Sequence, residues 1–260
     1  MELFDSHAHY NDIKFEEDRE ELLKSIYDSG VTSIICAGYN LESSKQAIEI
    51  ANSHDYIYAT VGISPNDLEE NWENNLINIE KILEDSSYET KNNKIVAVGE
   101  IGLDYHYDTD KTIQKQAFIK QIEIANKYNL PIVIHTRDAV MDTIEILKQH
   151  PVNKKGVFHC CPFNRELIKE ALKLDFYISI AGPITFKNSK NAEEIANLVP
   201  LEKMLIETDS PYLAPEPVRG TRNDSRNIKY TAQKIADLRG VQVEEIAKQT
   251  YENTKKIFAI

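Results

Sequence analysis

Eight short apolar segments recur along the chain, and most are followed by a longer amphipathic segment. The apolar segments are rich in β-branched residues and occupy residues 2–9, 31–38, 56–62, 94–102, 130–135, 156–161, 176–182 and 203–209. Strands that alternate with helices run parallel, because right-handed crossovers connect them. Eight such repeats predict an α/β protein whose sheet closes into a (β/α)8 TIM barrel.

The size and composition of the chain fit one barrel. Barrels of about 250 residues are often a single domain, so we expect one domain over residues 1–260. No apolar run approaches the roughly 18 residues of a membrane span. The acidic start, with Glu2 and Asp5, lacks the basic region of a signal peptide, so we expect a cytoplasmic protein without membrane attachment. Its cysteines form an odd set without metal-site spacing and should be reduced thiols; they are Cys36, Cys160 and Cys161.

The net charge of −12 argues against a protein that coats nucleic acid tightly and without specificity. It does not exclude a substrate that carries phosphate, because a bound metal ion can invert the sign of the field in one pocket.

Histidines and carboxylates follow the predicted strands at the same point in several repeats. His7 and His9 are two residues apart and share a face if the first segment is extended, although two unrelated surface histidines would explain that spacing equally well. The C-terminal ends of all barrel strands open onto one face, where the candidate ligands would meet. These candidates are His7, His9, Glu100, His135, His159 and Asp209.

Four imidazoles and two carboxylates suit divalent ions such as Zn²⁺, Mn²⁺ or Mg²⁺. Six ligands exceed what one tetrahedral ion takes, and they predict two ions about 3.5 to 4 Å apart. Metal coordination lowers the pKa of water from 15.7 toward about 7, which would make that water a nucleophile at neutral pH. Glu100 and Asp209 are the candidate catalytic carboxylates, with Asp209 either a base toward this water or a plain ligand.

Each residue near the predicted ligands has two possible roles. Asp5 and Glu207 lie two residues from ligands and could hydrogen-bond to them, or could instead fill an inward layer of the barrel. Arg137 could bind a phosphate in bidentate fashion, or could pair with a surface acid such as Asp138 or Asp142.

The longest irregular stretch, residues 210–227, follows the last predicted strand and contains a cluster of basic residues. Long loops after barrel strands are frequently functional, so we predict phosphate contacts from this loop over a merely solvated role. Its arginines are Arg219, Arg222 and Arg226. Three tyrosines could stack on bases at the mouth, and packing explains them nearly as well; they are Tyr105, Tyr107 and Tyr212.

The chain resembles the TatD family of metal-dependent deoxyribonucleases, within the amidohydrolase superfamily, from residue 3 to about 258. The matching motifs are "DSHAH", "VGEIGLDY", "IHTRDA", "FHC", "LIETDSPYLAP" and "RGTRN". The resemblance implies a barrel of the metallo-dependent hydrolase type that hydrolyses DNA phosphodiesters, commonly as a 3′ to 5′ exonuclease. It also implies that His7, His9, Glu100 and Asp209 hold one ion. The second ion would be held by Glu100, His135 and His159, with Glu100 bridging.

Two positions depart from the family pattern. Ser64 stands in "VGISP" where a histidine is common, and Val218 stands before "RG" where a histidine is also common. They motivate an alternative in which the metals act on a carbon ester, lactone, amide or aminoacyl ester. A further alternative is a non-catalytic scaffold stabilised by metal. The sequence indicates DNA, single-stranded or frayed at its ends, as the partner in the leading case, and no obligate protein partner.

Overall fold

The computed structural model describes residues 1–89 and 94–260. Its eight strands are all parallel and each pairs with the next, in the order β1 to β8. The strands are β1 Leu3–Ala8, β2 Val31–Ala37, β3 Ile57–Val61, β4 Ile95–Asp104, β5 Ile132–Arg137, β6 Gly156–Phe158, β7 Tyr177–Ile180 and β8 Met204–Ile206. The predicted (β/α)8 TIM barrel is confirmed. Every strand overlaps the segment predicted for it, and β4 and β5 extend two residues beyond the predicted end.

Helices alternate with these strands around the outside of the barrel. They are α1 Arg19–Asp28, α2 Leu41–Ser53, α3 Trp72–Glu89, α4 Lys111–Lys127, α5 Val140–Gln149, α6 Arg165–Lys173, α7 Ala192–Leu198, α8 Ile228–Arg239 and α9 Val243–Phe258. In α4 the buried apolar residues Phe118, Ile122 and Ala125 recur at helical spacing. Asp110 caps this helix by accepting from the backbone N–H groups of Thr112 and Ile113. In the described part of the chain, no helix is long and apolar enough to cross a membrane.

The barrel closes between β1 and β8 at their C-terminal ends. Ala8 forms a parallel bridge with Ser210 just beyond β8. The backbone N–H of His9 donates to the carbonyl of Ser210 at 2.7 Å, and that of Asp209 donates to the carbonyl of His7 at 3.0 Å. These hydrogen bonds hold three of the candidate ligands together through the backbone alone.

A buried apolar cluster supports the site from below. It contains Phe4, Ile35, Val96, Ala97, Val133, Val157, Tyr177, Leu205 and Phe258. Side chains two apart on a strand share a face, so Val133 and Val157 lie directly beneath His135 and His159. Phe258 of α9 packs against this layer, which makes the floor of the site a packed core rather than a channel.

Candidate metal centre

The first group of candidate ligands lies at the junction of β1 and β8. Nε2 of His7 lies 3.1 Å from Nε2 of His9 and 3.5 Å from Oε2 of Glu100. Nε2 of His9 lies 3.3 Å from Oδ1 of Asp209. Because all these atoms are nitrogens or carboxylate oxygens that face one another, they can surround a cation.

The second group lies on the opposite side of Glu100. Nδ1 of His135 lies 2.9 Å from Oε1 of Glu100 and 3.3 Å from Nε2 of His159, which is itself 3.4 Å from the same Oε1. The two oxygens of Glu100 therefore face different groups of imidazoles. Three sets of residues each bring their ligand atoms within 4.8 Å of one another. They are His7, His9 and Glu100; Glu100, His135 and His159; and His7, His159 and Asp209.

Local backbone geometry turns these side chains into the mouth. Asp209 has φ of 56° and Cys160, next to His159, has φ of 37°, left-handed values that non-glycine residues adopt rarely. Both residues lie beyond the ends of β6 and β8, which stop at Phe158 and Ile206, earlier than predicted. Gly102 in β4 has φ of 140°, and a Cβ there would lie 2.0 Å from the carbonyl oxygen of His135. Glycine at this position lets the strand of Glu100 approach that of His135.

The outer nitrogen of three rings lies near an oxygen. Nε2 of His135 lies 2.9 Å from Oδ2 of Asp104, Nδ1 of His159 lies 3.4 Å from Oε1 of Glu207, and Nδ1 of His9 lies 3.2 Å from the carbonyl of Ala37. The hydrogen-bonded partners of His135 and His9 fix the tautomer and point the other nitrogen at a metal, whereas Nδ1 of His159 forms no hydrogen bond with any residue that the structure describes. The ring of His7 is held differently, stacked on that of His159 with 4.0 Å between centroids.

Asp104 is the participant that sequence reasoning missed. It lies four residues after Glu100, on the same face of an extended strand, so its position in "EIGLD" carried a usable signal. Asn66 donates to its Oδ2 at 3.0 Å, and the backbone N–H of His106 donates to its Oδ1 at 2.9 Å. The carboxylate is therefore fixed before any ion binds.

Asp5 and Glu207 are both fully buried. Oδ1 of Asp5 accepts from the backbone N–H of His7 at 3.3 Å, so this carboxylate contacts the backbone of a candidate ligand and not its ring. Its shorter hydrogen bonds come from Thr208 and Ser225. Glu207 accepts from the backbone N–H of Cys160 at 2.7 Å as well as approaching His159. Of the two, only Glu207 lies against the ring of a candidate ligand.

Opposing effects set the charges at the centre. Burial raises the pKa of Glu100, but His159, His135 and His7 outweigh it and hold that pKa well below its usual range. Burial lowers the pKa of His7, whereas Asp209 overcomes the same effect at His9 and raises the pKa of that ring. An anionic carboxylate among converging imidazoles is a donor set that a divalent cation satisfies, so the residues present fit such an ion.

The centre opens into a cavity of about 770 Å³. Among the residues predicted to bind substrate, Arg137 lines this cavity, with its guanidinium 5.6 Å from the ring centroid of Tyr107. Tyr212 lines it too and donates to Asp12 at 2.7 Å. Tyr105 is directed elsewhere, because its hydroxyl donates to Asp142 at 2.6 Å outside the cavity lining.

The loop arginines do not gather at this cavity. Arg222 donates to Asp18 at 2.9 Å and to the carbonyl of Lys14, and Arg226 donates to Asp224 at 2.8 Å. These two side chains anchor the loop instead of facing the centre, which differs from the prediction. Arg219 lies beside a neighbouring cavity, 4.1 Å from the ring centroid of Phe186.

The two departures from the family pattern have different surroundings. Ser64 lines the centre's cavity and donates to Asp67 at 2.6 Å. Val218 is half-buried, and its backbone N–H donates to the carbonyl of Pro215. A serine bound to a carboxylate therefore stands in the cavity wall.

The chain is similar to known proteins over nearly its whole length. The family model described as TatD related DNase matches residues 4–259. "Uncharacterized metal-dependent hydrolase YabD" of Bacillus subtilis (strain 168) is 41% identical over 260 residues, covering 99% of each chain. "Uncharacterized metal-dependent hydrolase YcfH" of Escherichia coli (strain K12) is 34% identical, covering 100% of this chain and 97% of that one. The crystal structure of YJJV, a TatD homolog from Escherichia coli K12, superimposes with a TM-score of 0.93 at 27% identity, covering 99% of this chain and 98% of that one.

Proposed function

Because this chain belongs to the TatD-related DNase family, we propose that it is a metal-dependent hydrolase that cleaves DNA phosphodiester bonds with water as the nucleophile. The observation that carries the proposal is Glu100, whose two oxygens face two separate groups of imidazoles. A purely structural carboxylate has no need of four histidines directed at it from strand ends.

We assign the ligands to two divalent ions per chain. One would be held by Glu100 with His7, His9 and Asp209, and the other by Glu100 with His135 and His159. Two divalent ions carry +4 and the two carboxylates −2, which leaves a local charge of about +2 in an acidic protein. An anionic phosphodiester is attracted to such a pocket.

The protein's own residues supply the remaining functions. Divalent ions in such a site act as Lewis acids on a phosphoryl group and lower the pKa of a coordinated water. Asp209 lines the cavity with its side chain 15% exposed, so its carboxylate can accept a proton from an attacking water. Glu100 is more deeply buried and stays anionic, which suits it to holding charge rather than moving protons.

The cavity wall suits a nucleotide substrate. Arg137 at the rim can pair with a phosphate oxygen, and Tyr107 beneath it is 53% exposed and offers a ring for stacking. A DNA strand would enter this cavity by its end, because the floor of the cavity is packed. This arrangement favours digestion from a DNA terminus. The 3′ to 5′ direction rests on the family resemblance.

A second candidate is hydrolysis of a carbon ester, lactone or amide at the same centre. Asp67 favours it, because this carboxylate lines the cavity beside Ser64 and would repel a phosphodiester more than a neutral ester. Burial raises the pKa of Asp67.

The test uses protein stripped of metal with a chelator and then titrated with Mg²⁺, Mn²⁺ or Zn²⁺. Single-stranded DNA labelled at the 5′ or 3′ end should be shortened from its 3′ end only after an ion is added. Glu100→Gln should abolish digestion, and Glu123→Gln, on the exposed face of α4, should leave it unchanged. Faster turnover of nitrophenyl esters or lactones with no cleavage of DNA would replace the proposal by the second candidate. A melting temperature that falls on chelation, without hydrolysis of DNA or of the esters and lactones, would indicate a non-catalytic scaffold.

A further inference from the structure

A second cavity, of about 670 Å³, lies beside the one above the metal centre. Three residues line both cavities: Cys160, which follows the candidate ligand His159, together with Pro162 and Pro183. The two spaces are therefore neighbours across one shared wall. A substrate whose reacting group sits at the centre can place its adjoining part in the second cavity.

The walls of the second cavity are apolar and partly aromatic. Phe163 packs against the hydrophobic core while remaining partly exposed, and Phe186 is half-buried at the end of the turn after β7. Arg219 lies over the ring of Phe186 at 4.1 Å, close enough for a cation–π contact that restrains the ring. Flat apolar walls of this kind suit a planar ring.

The rim of the same cavity carries polar side chains that form few contacts with the rest of the described chain. Asn188 and Asn191 line it, and their side-chain amides form no hydrogen bond with any residue that the structure describes. Lys190 is exposed at this rim and forms no ion pair with any residue that the structure describes. Arg219 approaches Glu216 at 3.9 Å, a weak surface pair. Two cations and two free amides are thus available to a ligand.

We propose that the second cavity binds the nucleobase of the nucleotide next to the phosphodiester at the metal centre. This inference rests on the proposed function and extends it to the substrate's neighbouring unit. Phe186 stacks on the base, the amides of Asn188 and Asn191 meet its polar edge, and Lys190 and Arg219 pair with the flanking phosphates. Stacking uses a π-face that every base has, so binding depends little on sequence.

The polar rim favours a nucleobase over an aliphatic acyl group as the occupant of the second cavity. An acyl chain would fill the apolar walls but would form no hydrogen bond or ion pair with the exposed amides and cations at the rim. A nucleotide satisfies walls and rim together, because its base is flat and apolar on its faces, polar at its edge, and joined to an anion.

The binding test uses 2-aminopurine deoxyriboside 5′-monophosphate, which contains no phosphodiester and whose fluorescence is quenched by stacking. In the presence of Mg²⁺ it should be quenched by the wild-type protein, and Phe186→Ala should raise its Kd about tenfold. Phe186→Leu keeps an apolar side chain without a π-face and should also weaken binding. Tyr27→Ala, which removes a 47% exposed ring outside the lining of both cavities, is the matched control and should not.

The turnover test compares single-stranded DNA that ends in a normal nucleotide with DNA that ends in an abasic residue. Phe186→Ala should raise KM for the normal end about tenfold with little change in kcat, and should leave KM for the abasic end unchanged. Quenching that depends on Phe186 without any DNA cleavage would support the base cavity and contradict the proposed function. DNA cleavage in which neither KM nor Kd depends on Phe186 would support the proposed function and contradict the base cavity. Full binding retained by Phe186→Leu would overturn the base assignment.

Discussion

Oδ2 of Asp104 lies 2.9 Å from Nε2 of His135, while Nδ1 of the same ring lies 2.9 Å from Oε1 of Glu100. The imidazole is thus held between two carboxylates, one inside the candidate centre and one outside it. We expect Asp104→Ala to weaken binding of the ion held by His135 about 10- to 100-fold, because the ring loses the partner that orients it. Titration calorimetry with Zn²⁺ measures this. Asp108→Ala, an exposed acid in the following loop, is the control, and equal affinities for the two variants would show that Asp104 has no orienting role.

Metal should stabilise the fold. The candidate ligands come from β1, β4 and β5 and from the segments that follow β1, β6 and β8, so an ion binds the folded state and not the unfolded chain. At a free ion concentration 100 times Kd, each bound ion should raise the free energy of unfolding by about 2.7 kcal/mol. For a chain of this size each ion should then raise the melting temperature by about 5 to 10 °C over chelated protein. Differential scanning fluorimetry gives the shift, and a shift of the same size in Glu100→Gln would mean that the ion binds elsewhere.

Asp5 should matter for stability more than for metal affinity. Its Oδ1 accepts from the backbone N–H of Thr208, and its Oδ2 accepts from the hydroxyls of Thr208 and Ser225. Asp5→Ala leaves these buried donors without an acceptor and should lower the free energy of unfolding by about 3 kcal/mol. Urea denaturation measures the loss. Asp55→Ala, at an exposed site, should change it by less than about 0.5 kcal/mol, and similar values for both variants would refute this account of the network.

The thiol of Cys36 should be unreactive in the folded protein. It is fully buried in β2, and burial raises its pKa to about 12. Because the raised pKa keeps the sulfur protonated, alkylation by iodoacetamide should stay slow as pH rises from about 7 to about 9, the range in which an ordinary thiol ionises. Peptide mass spectrometry locates the label. Ser53→Cys, on the exposed face of α2, provides the fast reference, and rapid labelling of Cys36 in native buffer would contradict its burial.

The repeating pattern of the sequence was sufficient for the barrel and for the gathering of its ligands. Parallel strands that alternate with helices have few ways to pack, and the strand ends of such a barrel meet on one face. The pattern therefore predicts that residues as distant in sequence as His7 and Asp209 lie close together. β6 and β8 end earlier than the predicted segments, and the left-handed backbone of Cys160 and Asp209 beyond them carries no reliable sequence signal.

The side-chain partners outside the ligand set were harder to predict. Arg222 belongs to a basic cluster in the sequence, but Asp18, 204 residues away, neutralises it. Asp104 stood within a recognised motif, yet its contact with His135 depends on the register between β4 and β5. Local composition does not report pairings that only the fold creates.

The count of metal ions per chain tests the central claim most directly. Wild-type protein loaded with Mn²⁺ or Zn²⁺, freed of excess ion and analysed by inductively coupled plasma mass spectrometry, should contain two ions per chain, and Glu100→Ala should contain fewer than one. A wild-type value near zero, or a Glu100→Ala variant that retains both ions, would contradict a dinuclear centre bridged by Glu100.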